Sequence, residues 1–529
     1  MNMKGDKMSK FKKLVLTVAI LAMTATGLSG CGGSGGASGS SEQLNIGVTS
    51  FADTLEPTEQ YFSWVVMRYG VGETLVKFND EMGAEPWLAE SWELGSDNLT
   101  WTFKIRDGVK FSNGTALTAD LVKASLERTF EMSKRASSDF FQYDAMTAEG
   151  SNLIIKTKSP TPGLPGCLAD PLFLIVDTTV DTSTFATDGP VCTGPYAVKS
   201  FDKEKCVVVK NENYWDGEVP YNEVNIQVID DANTRAMALQ SGEVDMAVNI
   251  SSSDLALFEG SESFDINSIA SLRTVLSFMN QRGPLADVKV RQAVIRALDR
   301  QTYADNLLHG TFEAGKAPIP PSLDYGFDTL KDENAYNLES AKQLLAEAGY
   351  ADTNGDGIVE KDGQNLTLQY VIYDSRAELP ILATATQANL KEIGIDVKVE
   401  TYEYTTLLDM QENGEYDLLI WNVITANTGD PENYLKEYWK THTDENKNAN
   451  TAGYSNPEVD AVLDQLSTEF DTAKRRELVI QAQQLIMNDA ASVFYAYPET
   501  NIISSRKITG VEMLPADYYW LTKEIKPAQ

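Results

Sequence analysis

The sequence predicts an α/β protein, and two stretches carry that prediction. Between residues 366 and 421 the pattern alternates: strand 366–372, helix 379–393, strand 395–401, helix 405–412, strand 416–421. Strand–helix–strand repeated in this way is the pattern of a lobe with parallel neighbours, each helix crossing back over the sheet. The other stretch is 85–129. There Leu99, Trp101, Phe103 and Ile105 alternate with Thr100, Thr102 and Lys104, the two-residue period of a half-buried strand. A turn at Gly114 leads to a helix with Thr118 as N-cap and Asp120 in its first turn, where a carboxylate suits the helix dipole.

The remaining elements follow in order. Residues 44–48 open the fold as a strand, 61–69 read as a helix and 73–78 as another strand. Residues 152–156 form a strand before the proline-rich loop 159–166, and 193–209 fold as a hairpin. Val224, Ile226 and Val228 alternate in a strand, and a helix from Asn233 stops at Gly242, a normal left-handed cap. Residues 276–280 form a strand that crosses between halves of the molecule. From 288 to 309 the spacing of Val290, Val294, Ala297 and Leu298 predicts one continuous helix closed by Gly310. Asn337 caps a helix over 338–348. Asn456 and Pro457 start another, because proline suits a first helical position, and a further helix covers 473–487 before a strand at 492–496.

With 529 residues the chain is long enough for a substantial core, and 42% hydrophobic with 23% charged residues is an ordinary globular composition. The net charge of −33 makes nucleic acid and anionic lipid poor partners. The N-terminus reads as a targeting segment: Lys4, Lys7, Lys10, Lys12 and Lys13 precede an apolar run at 14–23 that is too short for a comfortable membrane span. Leu28, Ser29, Gly30 and Cys31 then match a bacterial lipoprotein cleavage box, so Cys31 is expected to carry acyl chains after cleavage. Residues 32–41 (GGSGGASGSS) form a flexible tether of about 20 Å reach. Three cysteines remain, an odd number; Cys192 and Cys206 do not sit opposite each other across their hairpin turn, and buried apolar thiols are expected rather than a disulfide.

The wording of several segments adds to this. Residues 85–129, ETLVK at 73–77, TGPY at 193–196, NENYW at 211–215, AMALQSGEVDM at 236–246 and VKVRQAVIRALDR at 288–300 occur in one order along nearly the whole mature chain. In this the sequence resembles the peptide- and nickel-binding family (family 5) of extracytoplasmic solute-binding lipoproteins of ABC importers. The resemblance implies a two-lobed periplasmic-binding-protein-like α/β fold with a ligand cleft between the lobes. It places the first lobe at 42–282 with an extra subdomain near 76–190, the second lobe at 283–500, and a segment 501–529 returning to the first. The signal peptide would be 1–30 and the lipidated cysteine with its tether 31–41. The implied partners are a small-molecule or peptide ligand, an ABC permease with its ATPase, and a lipid anchor on the outer face of the cytoplasmic membrane. The receptor would be a monomer without a cofactor.

Ligands of open α/β sheets bind beyond the carboxyl ends of strands, which points to the loop after strand 416–421. Trp421, Asn427, Asp430, Tyr434 and His442 lie there, aromatic walls with a few polar groups. Tyr61, Trp64 and Arg135 complete the candidate set from the first lobe. In dipeptide-binding relatives an aspartate three residues before an Asp-Pro pair holds the ligand ammonium; Asn427 stands at that position here and lacks the charge. The resemblance to nickel binders rests on Arg135, placed like an arginine facing a chelator, and on His442, near a metal-facing histidine. A second such arginine is missing near Pro171 and Leu172, and Thr425 and Gly429 replace pocket aromatics. One or two histidines cannot surround a nickel ion, so a metal would arrive in an external chelator.

Asp352, Asn354 and Asp356 with Gly357 resemble the start of a calcium loop, but Gly363 stands where its last glutamate belongs, and a tight connector is the expected role. The serine-hydrolase pattern at Gly32–Gly36 lies in the tether, and the phosphate-loop pattern at 310–316 follows a helix and lacks the magnesium-binding hydroxyl. No catalytic set is visible among two histidines and no CxxC or HExxH. Capture of short peptides or peptide-like solutes is therefore the expected function, with a metal chelate as the alternative.

Overall fold

The computed structural model describes residues 43–49, 53–374, 376–444 and 446–529. The signal segment, Cys31, the tether and the Gly32–Gly36 pattern lie outside them.

One sheet of twelve strands runs through the molecule. In one half Gln43–Val48 lies parallel to Glu223–Val228, with Leu44 opposite Val224 and Ile46 opposite Ile226, and the hairpin Tyr196–Phe201/Lys205–Lys210 extends that edge. In the other half Thr367–Ile372 is parallel both to Asp396–Thr401 and to Leu418–Ile424. Helices Glu378–Glu392 and Tyr404–Asn413 make the crossovers, as the alternating pattern predicts. Strand Leu418–Ile424 is buried over its first five residues, which explains its unbroken apolar wording: a strand covered on both faces has no polar side to alternate with.

The halves are joined by Ser492–Ser505, a 14-residue strand. Its first part pairs with Arg273–Met279 and its last part with Met246–Val248 and Phe264–Ala270. The result is the two-lobed α/β fold, with a continuous strand passing from one lobe to the other. A separate antiparallel sheet, Ala89–Leu94, Thr100–Ile105, Asn152–Thr157 and Tyr143–Glu149, forms the first lobe's addition. Trp101, Phe103 and Ile105 point inward as their alternation requires, and Thr118 caps helix Ala119–Met132 by accepting the Leu121 N–H at 3.3 Å.

Three expectations about elements are corrected. The continuous helix 288–309 breaks: Val288–Arg296 ends, and Asp299 caps a new turn by accepting from the Thr302 N–H and hydroxyl at 3.1 and 2.8 Å. A side-chain oxygen able to cap the backbone overrides apolar periodicity at that point. The strand expected at 416–421 runs from Leu418 to Ile424, so Trp421 sits in its middle. The stretch after it is not all loop, because Glu432–Trp439 is a helix.

Candidate ligand-binding site

The turn between strand Leu418–Ile424 and helix Glu432–Trp439 is where the lobes touch. Thr425 anchors it to the crossing strand's approach, donating its hydroxyl to the Leu272 carbonyl at 2.9 Å. Asn427 Nδ2 stands 3.4 Å from Asp170 Oδ2, and Asn433 Nδ2 donates to the Asp139 carbonyl at 2.7 Å, both reaching into the first lobe. Asp170 is fully buried, which pushes its carboxyl up to about 6 against the stabilising Leu172 N–H, the Arg135 charge and the Asn427 amide.

Two of the residues proposed from this turn have other work. Asp430 accepts the Glu432 N–H at 2.9 Å as a helix cap, and its other oxygen takes Arg475 Nε and Nη2 at 2.9 and 2.8 Å. Arg475 reaches Glu432 as well, at 3.0 Å, so the Asp430 carboxylate is committed within the protein. Tyr434 is 5% exposed and donates its hydroxyl to the Pro318 carbonyl at 3.0 Å. It packs in the core with Trp439, at 5.0 Å between ring centres. Asp430 thus has a capping and ion-pairing role here and Tyr434 a packing role, the latter for a local reason. Tyr434, Leu435, Tyr438 and Trp439 recur at helical spacing and form the inward face of an amphipathic helix.

Trp421 belongs to a different grouping. Its ring lies 5.1 Å from Tyr373, which follows the neighbouring parallel strand, and 5.3 Å from Tyr404, which opens the next helix. Tyr373 and Tyr404 are themselves 5.5 Å apart, so three rings form one cluster beside the end of strand Thr367–Ile372. On the first-lobe side, Trp64 sits between Tyr61 at 5.2 Å and Tyr518 at 5.3 Å. Tyr61 and Tyr404 are both more than 40% exposed, and Tyr61 is among the groups that raise the Tyr404 phenol to about 12, after partial burial. The two aromatic groups therefore face the same space from opposite lobes.

Arginines complete the site. Arg273, the first residue of strand Arg273–Met279, donates from Nη1 to the Asn422 backbone carbonyl and amide oxygen, each at 3.3 Å. Enclosure and the nearby Arg376 guanidinium pull its pKa down to about 10, with Arg68 adding to the repulsion and Asp517 and Tyr373 opposing it. Arg68 is tied to Asp517 at 2.7 Å and lies 4.3 Å above the Trp520 ring. Among the described residues, neither Arg273 nor Arg376 has a carboxylate at ion-pair distance. The buried indole N–H groups of Trp64 and Trp421 likewise have no acceptor.

The other proposed residues lie differently. Arg135 stacks on Tyr61 at 3.9 Å, binds Asp139 at 3.1 Å and donates to the Gln60 carbonyl, so its charge is largely engaged. His442 sits on an exposed loop with Nδ1 2.9 Å from the Asn448 carbonyl. Asp352, Asn354 and Asp356 accept backbone N–H groups of their own exposed loop: Asp352 from Gly355 and Gly357, Asn354 from Asp356, and Asp356 from Ile358. Among the described residues, no three His, Cys, Asp or Glu side chains gather to hold a metal ion. Sequence reasoning missed Arg273, Tyr373, Arg376 and Tyr404. The strand-end rule, applied to Thr367–Ile372 as it was to its neighbour, points to Tyr373 and Arg376.

The chain belongs to the bacterial extracellular solute-binding proteins, family 5, whose middle-region profile matches residues 83–446. The nickel-binding protein NikA of Staphylococcus aureus is 26% identical over 487 residues, covering 91% of this chain and 93% of that protein. The oligopeptide-binding protein AppA of Bacillus subtilis is 27% identical, over 85% of this chain and 86% of its own length. Among solved structures, a nickel ABC transporter protein of Bacillus halodurans is 31% identical and superposes with a TM-score of 0.76, over 92% of this chain and 99% of its own.

Proposed function

We propose that this protein is the lipid-anchored, monomeric receptor of an ABC importer, held by Cys31 outside the cytoplasmic membrane. It captures short peptides or peptide-like solutes between its lobes and passes them to the permease. The lobes correspond to residues 42–282 with the return segment 501–529, and 283–500, and the tether 31–41 keeps the receptor near its permease. Its function is binding and not chemistry.

The observation that carries this reading is the pair of guanidiniums, Arg273 and Arg376, beside the Tyr373–Tyr404–Trp421 rings, with no carboxylate at ion-pair distance among the described residues. A ligand carboxylate placed there gains charge-assisted hydrogen bonds and relieves the repulsion between the arginines. Aromatic walls accept side chains of varied shape. The ligand's ammonium has no ready partner at Asn427, which faces Asp170. A peptide would therefore be held chiefly through its carboxylate and its flanks.

A chelate of nickel or a similar metal is the second reading. It is favoured by the nickel-binding relatives and by the same arginines, which suit the carboxylates of an organic chelator. Native mass spectrometry of residues 32–529 from the producing cell tests both. A spread of masses fitting short peptides, lost in Arg376→Ala, supports the first; one discrete adduct with a metal isotope pattern supports the second. Wild-type protein that carries no adduct and binds neither a tripeptide mixture nor nickel with L-histidine in titration overturns both.

A further inference from the structure

The contact between the lobes is closer than most residues would permit, and glycine makes it so on both sides. Gly166 lies in the short helix Leu164–Cys167 of the first lobe, on ordinary backbone that any residue can adopt. A Cβ added there would stand 2.0 Å from the carbonyl oxygen of Thr428 in the second lobe. Gly429, at φ +74°, answers from the other side: its Cβ would stand 2.5 Å from the Met82 carbonyl oxygen and 3.1 Å from the Phe78 ring. The nearest obstacle in each case is main chain, which cannot rotate away as a long side chain can. The same seam carries the Asn433 hydrogen bond to the Asp139 carbonyl and the Asn427 contact with Asp170.

We infer that Gly166 is a positioning residue for closure: it touches no ligand, and it sets how tightly the second lobe can seat on the first. The inference rests on the solute-binding reading. A hinge-closing receptor holds its ligand in proportion to the population of its closed form. A Cβ at Gly166 is harmless when the lobes are apart and collides with Thr428 when they meet, so it raises the energy of the closed form alone. Seating also fixes the turn that follows strand Leu418–Ile424, and with it the placement of Trp421 and its neighbouring rings.

The test compares Gly166→Ala with Gly163→Ala, a control three residues away whose Cβ would meet nothing within 4 Å. Residues 32–529 are spin-labelled at Met237→Cys and Tyr336→Cys, both exposed and in different lobes. The described native cysteines are buried and stay unlabelled. Gly166→Ala should lose the short interlobe distance and retain at least ten-fold less of the endogenous adduct seen by native mass spectrometry. Its ligand-free melting temperature should match the control. Wild-type distances and retention in Gly166→Ala overturn the inference. Absence of adduct from the wild type counts against the binding reading, and the seam is then judged on distances alone, equal values overturning it. If Gly166→Ala does not fold, Asn433→Ala takes its place, and a several-fold faster loss of adduct is expected from the missing interlobe hydrogen bond. Unchanged loss there overturns the inference as well.

Discussion

Glu73 gives the sharpest prediction about stability. Its carboxyl is fully buried, with no cation at ion-pair distance among the described residues. Three donors hold it: the Thr193 hydroxyl at 2.7 Å and Trp215 Nε1 at 2.9 Å on Oε2, and the Tyr214 hydroxyl at 3.2 Å on Oε1. Burial outweighs those hydrogen bonds and raises the pKa from 4.5 to about 7. The folded protein therefore keeps this proton longer than the unfolded chain does. Stability lent by protonated Glu73 is complete below about 4.5 and falls as pH rises towards about 7. The gap corresponds to about 3 kcal/mol, most of which is lost between pH 5 and pH 8. Glu73→Gln removes the titration with little change of shape. Its amide oxygen accepts from Thr193 and Trp215, and its NH2 group faces the Tyr214 oxygen, which can accept. Urea unfolding of residues 32–529 at both pH values should show the variant gaining about 2–3 kcal/mol on the wild type between pH 5 and pH 8. A difference that is the same at both pH values would refute the reasoning.

Three further outcomes are expected. Cys31→Ser should move the protein from the membrane fraction to the soluble extracytoplasmic fraction, and continued membrane attachment would rule out the lipid anchor. Arg475→Met should destabilise by about 3–5 kcal/mol in urea titration, because Asp430 and Glu432 would lose their shared counter-ion; a change under about 1 kcal/mol would mean that water reaches them freely. Cys167, Cys192 and Cys206 are unpaired and buried, and burial raises all three thiols, Cys206 to about 12. A thiol reagent should find none of them in native residues 32–529 at pH 8 and all three in urea.

Much of the framework was legible in the sequence because it depends on short-range pattern. Alternation gave the strand Thr100–Ile105, capping residues gave helix starts at Thr118, Asn337 and Asn456, and the strand–helix alternation gave the parallel sheet of the second lobe. The family wording has a physical source that only the structure supplies. Glu73 of ETLVK, Thr193 of TGPY, and Tyr214 and Trp215 of NENYW meet in one buried hydrogen-bonded group. Those segments hold the first lobe together. The candidate site residues were harder to read, because their surroundings depend on partners far away in sequence. Asp430 looks like a free loop carboxylate until Arg475, 45 residues on, closes on it. Arg273 looks like an ordinary strand residue until Arg376 stands beside it.

The charge balance of the molecule bears on how an anionic ligand could be captured at all. A net charge of −33 repels anions at long range, yet among the described residues the guanidiniums of Arg273 and Arg376 have no carboxylate at ion-pair distance. Screening reconciles the two, since at physiological ionic strength surface charges farther than about 8 Å are largely damped. A half-buried pair of like charges is damped less and acts more strongly on a group that reaches it. The acidic surface then serves solubility, and selection is left to the few groups in the cleft. Binding should therefore weaken little with added salt once the ligand is seated. Replacing Arg376 by leucine should both raise the Arg273 pKa, by removing its repelling neighbour, and weaken retention of a carboxylate ligand. Those two effects together separate a ligand-binding arginine from one that is merely buried.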